Sequence, residues 1–360
     1  MKKIILKGAI LSASALIISI LYFNRQTAPV PLSELLSSYA DPGIKIKIRS
    51  PFSGSILVAK KGKVIFKEAY GLANRDSNAA NKINSKFGIG SVTKQFTALL
   101  IMQKVEEGQL SLSDTISKHL PYLPAQWSQK VTIHQLLSHT AGLPHYEGLR
   151  AIGISLDDFG SRQFSPQSLA LLISDTKLIN EPGTQYSYSS FGYILLGAIL
   201  EEVSGKSYSA LLNESVIQPL GLKNTGLATN RIVATELSTG YVYREAYGWD
   251  WWSSENGGTL SPAPFRDQST TYSTGGIYST VEDLFVWSEA IKNHTLLSPP
   301  LTRKMLTPNK HGYCYAWVRN FDDIVEKNIN ARLYGHGGAL AGNSAYVAMY
   351  DDETTIIYLA

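Results

Sequence analysis

The first 33 positions of this 360-residue chain contain no acidic residue. Lys2, Lys3, Lys7 and Arg25 stand there unopposed, and the first acid is Glu34. The whole chain holds 33 Lys+Arg against 29 Asp+Glu, so once those four are set aside 29 of each sign remain. A nucleic-acid-binding face needs a clustered basic excess. The body has none, and no nucleic-acid partner is expected. Cysteine is nearly absent as well: Cys314 is the only one. That excludes an internal disulfide framework and any multi-thiolate zinc or iron–sulfur site. The seven histidines include no H-E-x-x-H, and His139 and His145 lack ligand spacing with acids, so neither a metal nor another cofactor is expected. The chain also has no G-x-S-x-G elbow. Gly205-Lys206-Ser207 imitates the end of a phosphate loop, but Leu200 stands where that loop needs its first glycine.

What is present begins with a leader. Residues 8–23 carry no charge and are flanked by basic residues on both sides. This is the pattern of a secretory signal, and a cleaved peptide and an uncleaved anchor over residues 4–23 both fit it. The three leading lysines favour an N-terminus inside and a body outside the cytoplasm, in the periplasm or at the cell surface, with membrane association through the leader. Residues 26–50, with Pro29, Pro31 and Pro42, read as a linker.

From 51 onward the chain reads as one globular body. Residues 53–59 and 64–70 are two apolar runs joined by a turn containing Gly62, which predicts a β-hairpin. Residues 91–107 place Phe96, Leu99, Leu100, Met102 and Val105 at helical spacing and stop at Gly108. Helical patterns follow at 168–173 and 191–203, then a Trp/Tyr-rich loop around 243–252. Strand patterns return at 313–318, 331–335, 344–350 and 355–359. The order predicts an α/β (α+β) fold: an antiparallel sheet built from both chain ends, flanked by helices, plus an all-helical lobe. The sheet lobe covers about 51–115 and 270–360, and the helical lobe about 116–269.

The surviving chemistry is serine with lysine. S-x-x-K occurs twice, as Ser91-Val-Thr-Lys94 and Ser174-Asp-Thr-Lys177. Ser91 follows Gly88-Ile-Gly90 and opens a long helix, where residues three apart share a face, so the Lys94 amine can approach the Ser91 hydroxyl. The helix N-terminus supplies positive potential and free N–H groups for an oxyanion. A lysine desolvated there can lose its proton and act as a base. Ser174 and Lys177 sit at the end of an apolar helical stretch and read as a solvated helix end.

Phe87-Gly-Ile-Gly-Ser91-Val-Thr-Lys94-Gln-Phe-Thr-Ala98 resembles the nucleophile motif of the class C β-lactamase and penicillin-binding serine hydrolase family. Leu136-Leu-Ser-His-Thr-Ala-Gly-Leu-Pro144, the segment from Pro182 to Gly197 with Tyr188 and Ser190, Ser279-Thr-Val-Glu-Asp283, and Gly335-His336-Gly337-Gly338 resemble its further motifs, in order and at family spacing. The resemblance implies a β-lactamase/transpeptidase-like fold without cofactor. It implies Ser91 as nucleophile, with Lys94 and Tyr188 sharing acid/base work. It further implies an oxyanion hole from the N–H groups of Ser91 and Ala339, just past Gly338, and His336 contacting the substrate's carboxylate end or polarising Tyr188. The expected substrate is a small molecule or a cell-wall-type peptide: a D-amino-acid peptide or a β-lactam, with small esters next. A non-hydrolytic penicillin-binding sensor is the alternative.

Three departures qualify the resemblance. Ser190 replaces the asparagine of Y-x-N, which questions amide recognition and the placement of Lys94; Ser254-Glu-Asn256 offers an S-x-N string, but in the aromatic loop. His336 stands where the family often has lysine, and a mostly neutral imidazole attracts a carboxylate weakly. The chain stops inside what reads as its last strands, where the family continues with a covering helix; its absence would expose an apolar sheet face, unless the sequence is truncated or another segment or a partner covers that face.

Overall fold

A computed structural model describes residues 52–243, 260–319, 333–340 and 342–360. The leader, the 26–50 linker, the aromatic positions 249–252 and the 254–256 string lie outside these residues.

The hairpin forms as its pattern dictates. β1 (Gly54–Lys60) and β2 (Lys63–Tyr70) pair antiparallel through a two-residue turn in which Lys61 and Gly62 both take positive φ, the geometry that matches strand twist. Further on come the short β3 (Phe87–Gly88), α1 (Thr93–Glu106), α2 (Ile133–Leu137), α3 (Pro166–Ser174), α4 (Ser190–Ser204), β4 (Gly226–Leu227), β5 (Ile277–Ser279) and α5 (Val281–Lys292). The chain closes with β6 (Val318–Arg319), β7 (Leu333–Leu340), β8 (Asn343–Tyr350) and β9 (Thr354–Leu359). These strands make a six-stranded antiparallel sheet in the order β6-β7-β8-β9-β1-β2, joining both ends of the described chain. A separate three-stranded sheet, β3-β5-β4, sits where the chain enters the Ser91 turn.

α1 is the spine of the molecule. Every residue from Thr93 to Met102 is buried, polar ones included. A helix buried all round needs cover on every side, and α4, α5 and the sheet belong with it to one continuous core. Phe96 stacks on Trp287 of α5 at 4.1 Å and 14°, and the indole N–H donates to Gln95 Oε1 at 3.0 Å.

One sequence expectation needs correction. Residues 313–318 do not form a strand: only Val318 and Arg319 pair with β7. Residues 313–317 instead make a buried tight turn, in which Cys314 N–H donates to Trp317 O at 2.6 Å and Ala316 takes φ 59°. An unbroken apolar and aromatic run looks the same whether it is a buried strand or a buried turn. The sheet also carries a second apolar cluster, Phe52, Ile56, Val58, Tyr70 and Ile356, and these residues are buried, in keeping with the expectation that such a face is covered.

Truncating Trp287→Ala removes the stacked ring and the Gln95 partner together. It should cost about 3–5 kcal/mol, read as a lowered urea midpoint with an unchanged m-value.

Candidate active site

Ser91 lies in a single 3-10 turn, Gly90–Val92, that feeds directly into α1. The turn depends on glycine: Gly90 has φ 49°, and a Cβ there would sit 2.6 Å from Ala339 N. The opposing strand is equally constrained, since a Cβ on Gly338 would lie 1.9 Å from Ile89 O. Backbone therefore meets backbone, and this close approach brings the Ser91 turn against Gly338 and Ala339 of β7.

The side chains converge on Ser91 Oγ. Lys94 Nζ is 3.0 Å away, one helical step on, and Tyr188 OH is 2.9 Å away from the segment before α4. Lys94 is fully buried, and its second contact is Thr274 O at 3.0 Å. Its ammonium also lies over the rings of Tyr188 and Tyr193, at 5.1 and 5.8 Å. Burial pushes its pKa from 10.5 down to about 7, with no carboxylate among the described residues to oppose it, and the N-terminal end of a helix acts in the same direction. Tyr188 is pushed well up from its usual range, first by burial, and stays a neutral O–H at pH 7. A neutral Lys94 amine has two N–H groups and a lone pair. With Thr274 O taking one N–H, the lone pair can accept the Ser91 proton while Tyr188 donates to the same oxygen.

Ser190, 3% exposed, begins α4, and its N–H donates to His145 Nδ1 at 3.3 Å. Its hydroxyl and that of Thr274 both hydrogen-bond the Tyr146 hydroxyl. The placement of Lys94 thus rests on Ser91 and the Thr274 carbonyl, and Ser190 is not needed for it. His336 lies on β7, buried, with its pKa lowered to about 4 by burial and then by Lys94. Both its nitrogens meet protein atoms: Nδ1 lies 2.6 Å from Gly337 O and Nε2 3.1 Å from the Tyr313 hydroxyl. Its ring centroid is 6.3 Å from that of Tyr188, and its hydrogen bonds go elsewhere. The second S-x-x-K is apart from all this: Ser174 Oγ donates to Leu171 O at 2.6 Å, and Lys177 is exposed. Among the described residues no group of three or more His, Cys, Asp or Glu could hold a metal ion, and no helix is long and apolar enough to cross a membrane.

A family model described as Beta-lactamase matches residues 51–360. The chain belongs to the beta-lactamase family. It is similar to penicillin-binding protein 4* of Bacillus subtilis (strain 168), at 28% identity over 327 residues, 86% of this chain and 68% of that protein. It is also similar to protein flp of Staphylococcus aureus (strain COL), at 28% identity over 82% of this chain and 56% of flp, so it spans just over half of that relative. The solved penicillin-binding protein from Bacillus halodurans superposes with TM-score 0.70 at 27% identity, covering 86% of this chain and 91% of that one. EstCE1, described as a hydrolase with promiscuous acyltransferase activity, shares the fold at TM-score 0.70 and 23% identity, covering 85% and 88%. This beta-lactamase family member is a serine hydrolase.

Sequence reading missed Thr274, Tyr146, His139 and Tyr313. Thr274-Gly275-Gly276 was the one available signal, a glycine pair just before β5. Two predictions follow from the site's physics. Between about pH 7 and 10 the unfolded chain keeps a proton on Lys94 that the folded chain has lost, so this group makes stability rise with pH. Lys94→Met should therefore be the more stable protein near pH 7, with its advantage shrinking by up to about 1.4 kcal/mol per pH unit toward pH 10, measured by chemical denaturation at several pH values. Gly338→Ala should push β7 off the Ser91 turn and slow Ser91 acylation by about 10²-fold, read by stopped-flow labelling.

Proposed function

We propose that the protein transfers acyl groups to water through a Ser91 acyl-enzyme, acting on cell-wall-type D-amino-acid peptides or related amides. The observation that carries this reading is Ser91 Oγ held between Lys94 Nζ and Tyr188 OH at 3.0 and 2.9 Å. Lys94 takes the Ser91 proton as Oγ attacks the carbonyl, and the oxyanion develops against the N–H groups of Ser91 and Ala339. Tyr188, backed by Lys94, hands a proton to the leaving nitrogen or oxygen. Water then repeats the sequence in reverse and frees Ser91. The similarity to penicillin-binding proteins supports the peptide class. So does an extracytoplasmic body, which we propose from the basic leader and its uncharged run; residues 4–23 would then associate with the membrane.

A second reading, hydrolysis of small acyl esters, draws on two features. His336 is neutral and gives both nitrogens to protein groups, so it offers no cation to a substrate carboxylate. Ser190 offers a short hydroxyl, already bonded to Tyr146, where an amide would present both a donor and an acceptor.

The test incubates the full chain with a fluorescent penicillin and, separately, with an activated ester, following intact mass and product. Labelling or turnover that vanishes in Ser91→Ala is expected. A stable adduct without turnover would make the protein a sensor, and no adduct and no turnover with either reagent would sink the acyl-enzyme reading. Tyr188→Phe should lower the acylation rate by about 10²–10⁴-fold, and an unchanged rate removes its acid/base role. Ser190→Asn should raise amide turnover relative to ester turnover.

A further inference from the structure

Behind the reacting groups lies a buried line of hydrogen bonds that joins the Tyr188 segment to β7. Ser189 N–H donates to His139 Nδ1 at 3.1 Å, and His139 Nε2 lies 3.1 Å from the Tyr313 hydroxyl. That hydroxyl is 3.1 Å from His336 Nε2, and His336 Nδ1 is 2.6 Å from Gly337 O. The two ends of the line are backbone groups whose polarity cannot change. A backbone N–H only donates, so His139 Nδ1 is the unprotonated nitrogen and Nε2 carries the hydrogen. A carbonyl only accepts, so His336 Nδ1 carries the hydrogen and Nε2 is bare. Tyr313 then accepts from His139 and donates to His336. The Tyr193 hydroxyl neighbours Tyr313 too, but it gives its own proton to Leu137 O at 2.9 Å. As an acceptor a phenol oxygen is far weaker than a bare imidazole nitrogen, which keeps the Tyr313 O–H directed at His336 Nε2.

We infer that Tyr313 is a positioning residue: it locks His139 and His336 in opposite neutral tautomers and so fixes the Tyr188–Ser190 segment in register with the β7 backbone at Gly338 and Ala339. Further observations agree. His139 is held at φ 54°, a conformation a bulky residue adopts at a cost, and its ring packs at 4.3 Å centroid distance on Tyr188. Its carbonyl accepts from Ser187 N–H at 2.8 Å, so ring and backbone grip both sides of Tyr188. Tyr313 is 1% exposed, in the tight turn that replaces the expected strand. Among the described residues the titratable groups facing these rings are Lys94, His145, Tyr186, Tyr188 and Tyr193, with no carboxylate to draw a second proton onto either imidazole. Burial acts in the same sense, holding His139 well below its ordinary range.

This inference rests on the acyl-enzyme reading for its kinetic consequence but not for its spectroscopic one. The full chain, labelled with ¹⁵N-histidine, should show His139 as the Nε2–H tautomer and His336 as the Nδ1–H tautomer, both unchanged between pH 5.5 and 8, with assignments from His139→Asn and His336→Gln. Tyr313→Phe keeps the ring and removes the link. His336 should then lose its single-tautomer signature, and kcat for the activated ester should fall about 10–100-fold while KM changes less than about 3-fold, as expected when a group acts on the transition state rather than on binding. Identical tautomers in the wild type, an imidazolium titrating in that pH range, or an unaltered kcat in Tyr313→Phe each overturns the assignment. Should Tyr313→Phe not fold, the wild-type tautomers decide alone. Should the wild type show no turnover, the tautomers still test the link while the acyl-enzyme reading fails separately.

Discussion

An ammonium group taken out of water, with no carboxylate beside it among the described residues, is the constraint on which this structure turns. Lys94 is fully buried, and its hydrogen-bond partners are a hydroxyl and a backbone carbonyl. Stabilising the charged form fully would take an acid within a few ångströms; withholding one lets desolvation bring the amine near neutrality at pH 7. The rest of the architecture keeps that amine buried. α1 is buried around its whole circumference over its first ten residues, because the sheet, α4 and α5 all close on it. Two polar residues inside that core are satisfied by backbone groups: Thr97 donates to Ser273 O at 2.6 Å, and Thr93 accepts from Ile277 N–H at 3.1 Å. These bonds tie the first turns of α1 to the segment carrying Thr274, so the carbonyl that orients Lys94 is held by the helix that Lys94 belongs to.

The second constraint is steric. Ser91 must face an oxyanion site made by backbone, so two backbones have to approach more closely than any side chain allows. Gly90 and Gly338 are the two residues that permit it, one on each side of the contact. Their conformational freedom is a cost to folding, offset by β-sheet pairing, with all eight residues of β7 registered against β8.

Much of this was legible in the sequence, and the limits of that reading are physical. Ser91 and Lys94 could be read together because helix geometry alone places residues three apart on one face. The hairpin, α1 and α4 were legible from period and punctuation. Tyr188 entered only through the order of motifs, since 97 residues separate it from Ser91 and no local rule links them. The roles of Thr274, Tyr146, His139 and Tyr313 were not legible for the same reason, although His139 lies within the Leu136–Pro144 motif and Thr274 beside a glycine pair: each acts through a contact that exists only after the sheet has closed and the helices have packed on it. The 313–317 run was read as a strand because burial, not pairing, set its composition. Ser190 was flagged as a loss, whereas the fold supplies Tyr146 and Thr274 around it, from positions that no motif string connects.

Charge economy also bears on the substrate. The groups in hydrogen-bond contact with Ser91 and Lys94 are a phenol and a carbonyl, and the two nearby histidines are neutral. A permanently protonated group in place of His336 would lower the Lys94 pKa further, since like charges each disfavour the other's protonation. It would also break the line to Tyr313, because an imidazolium has no bare nitrogen to accept from the hydroxyl. A neutral imidazole at this position is therefore consistent with the tautomer-locked line and with a lysine poised near pH 7 at once. A neutral His336 with both nitrogens bonded to protein groups offers no ion pair to a substrate carboxylate.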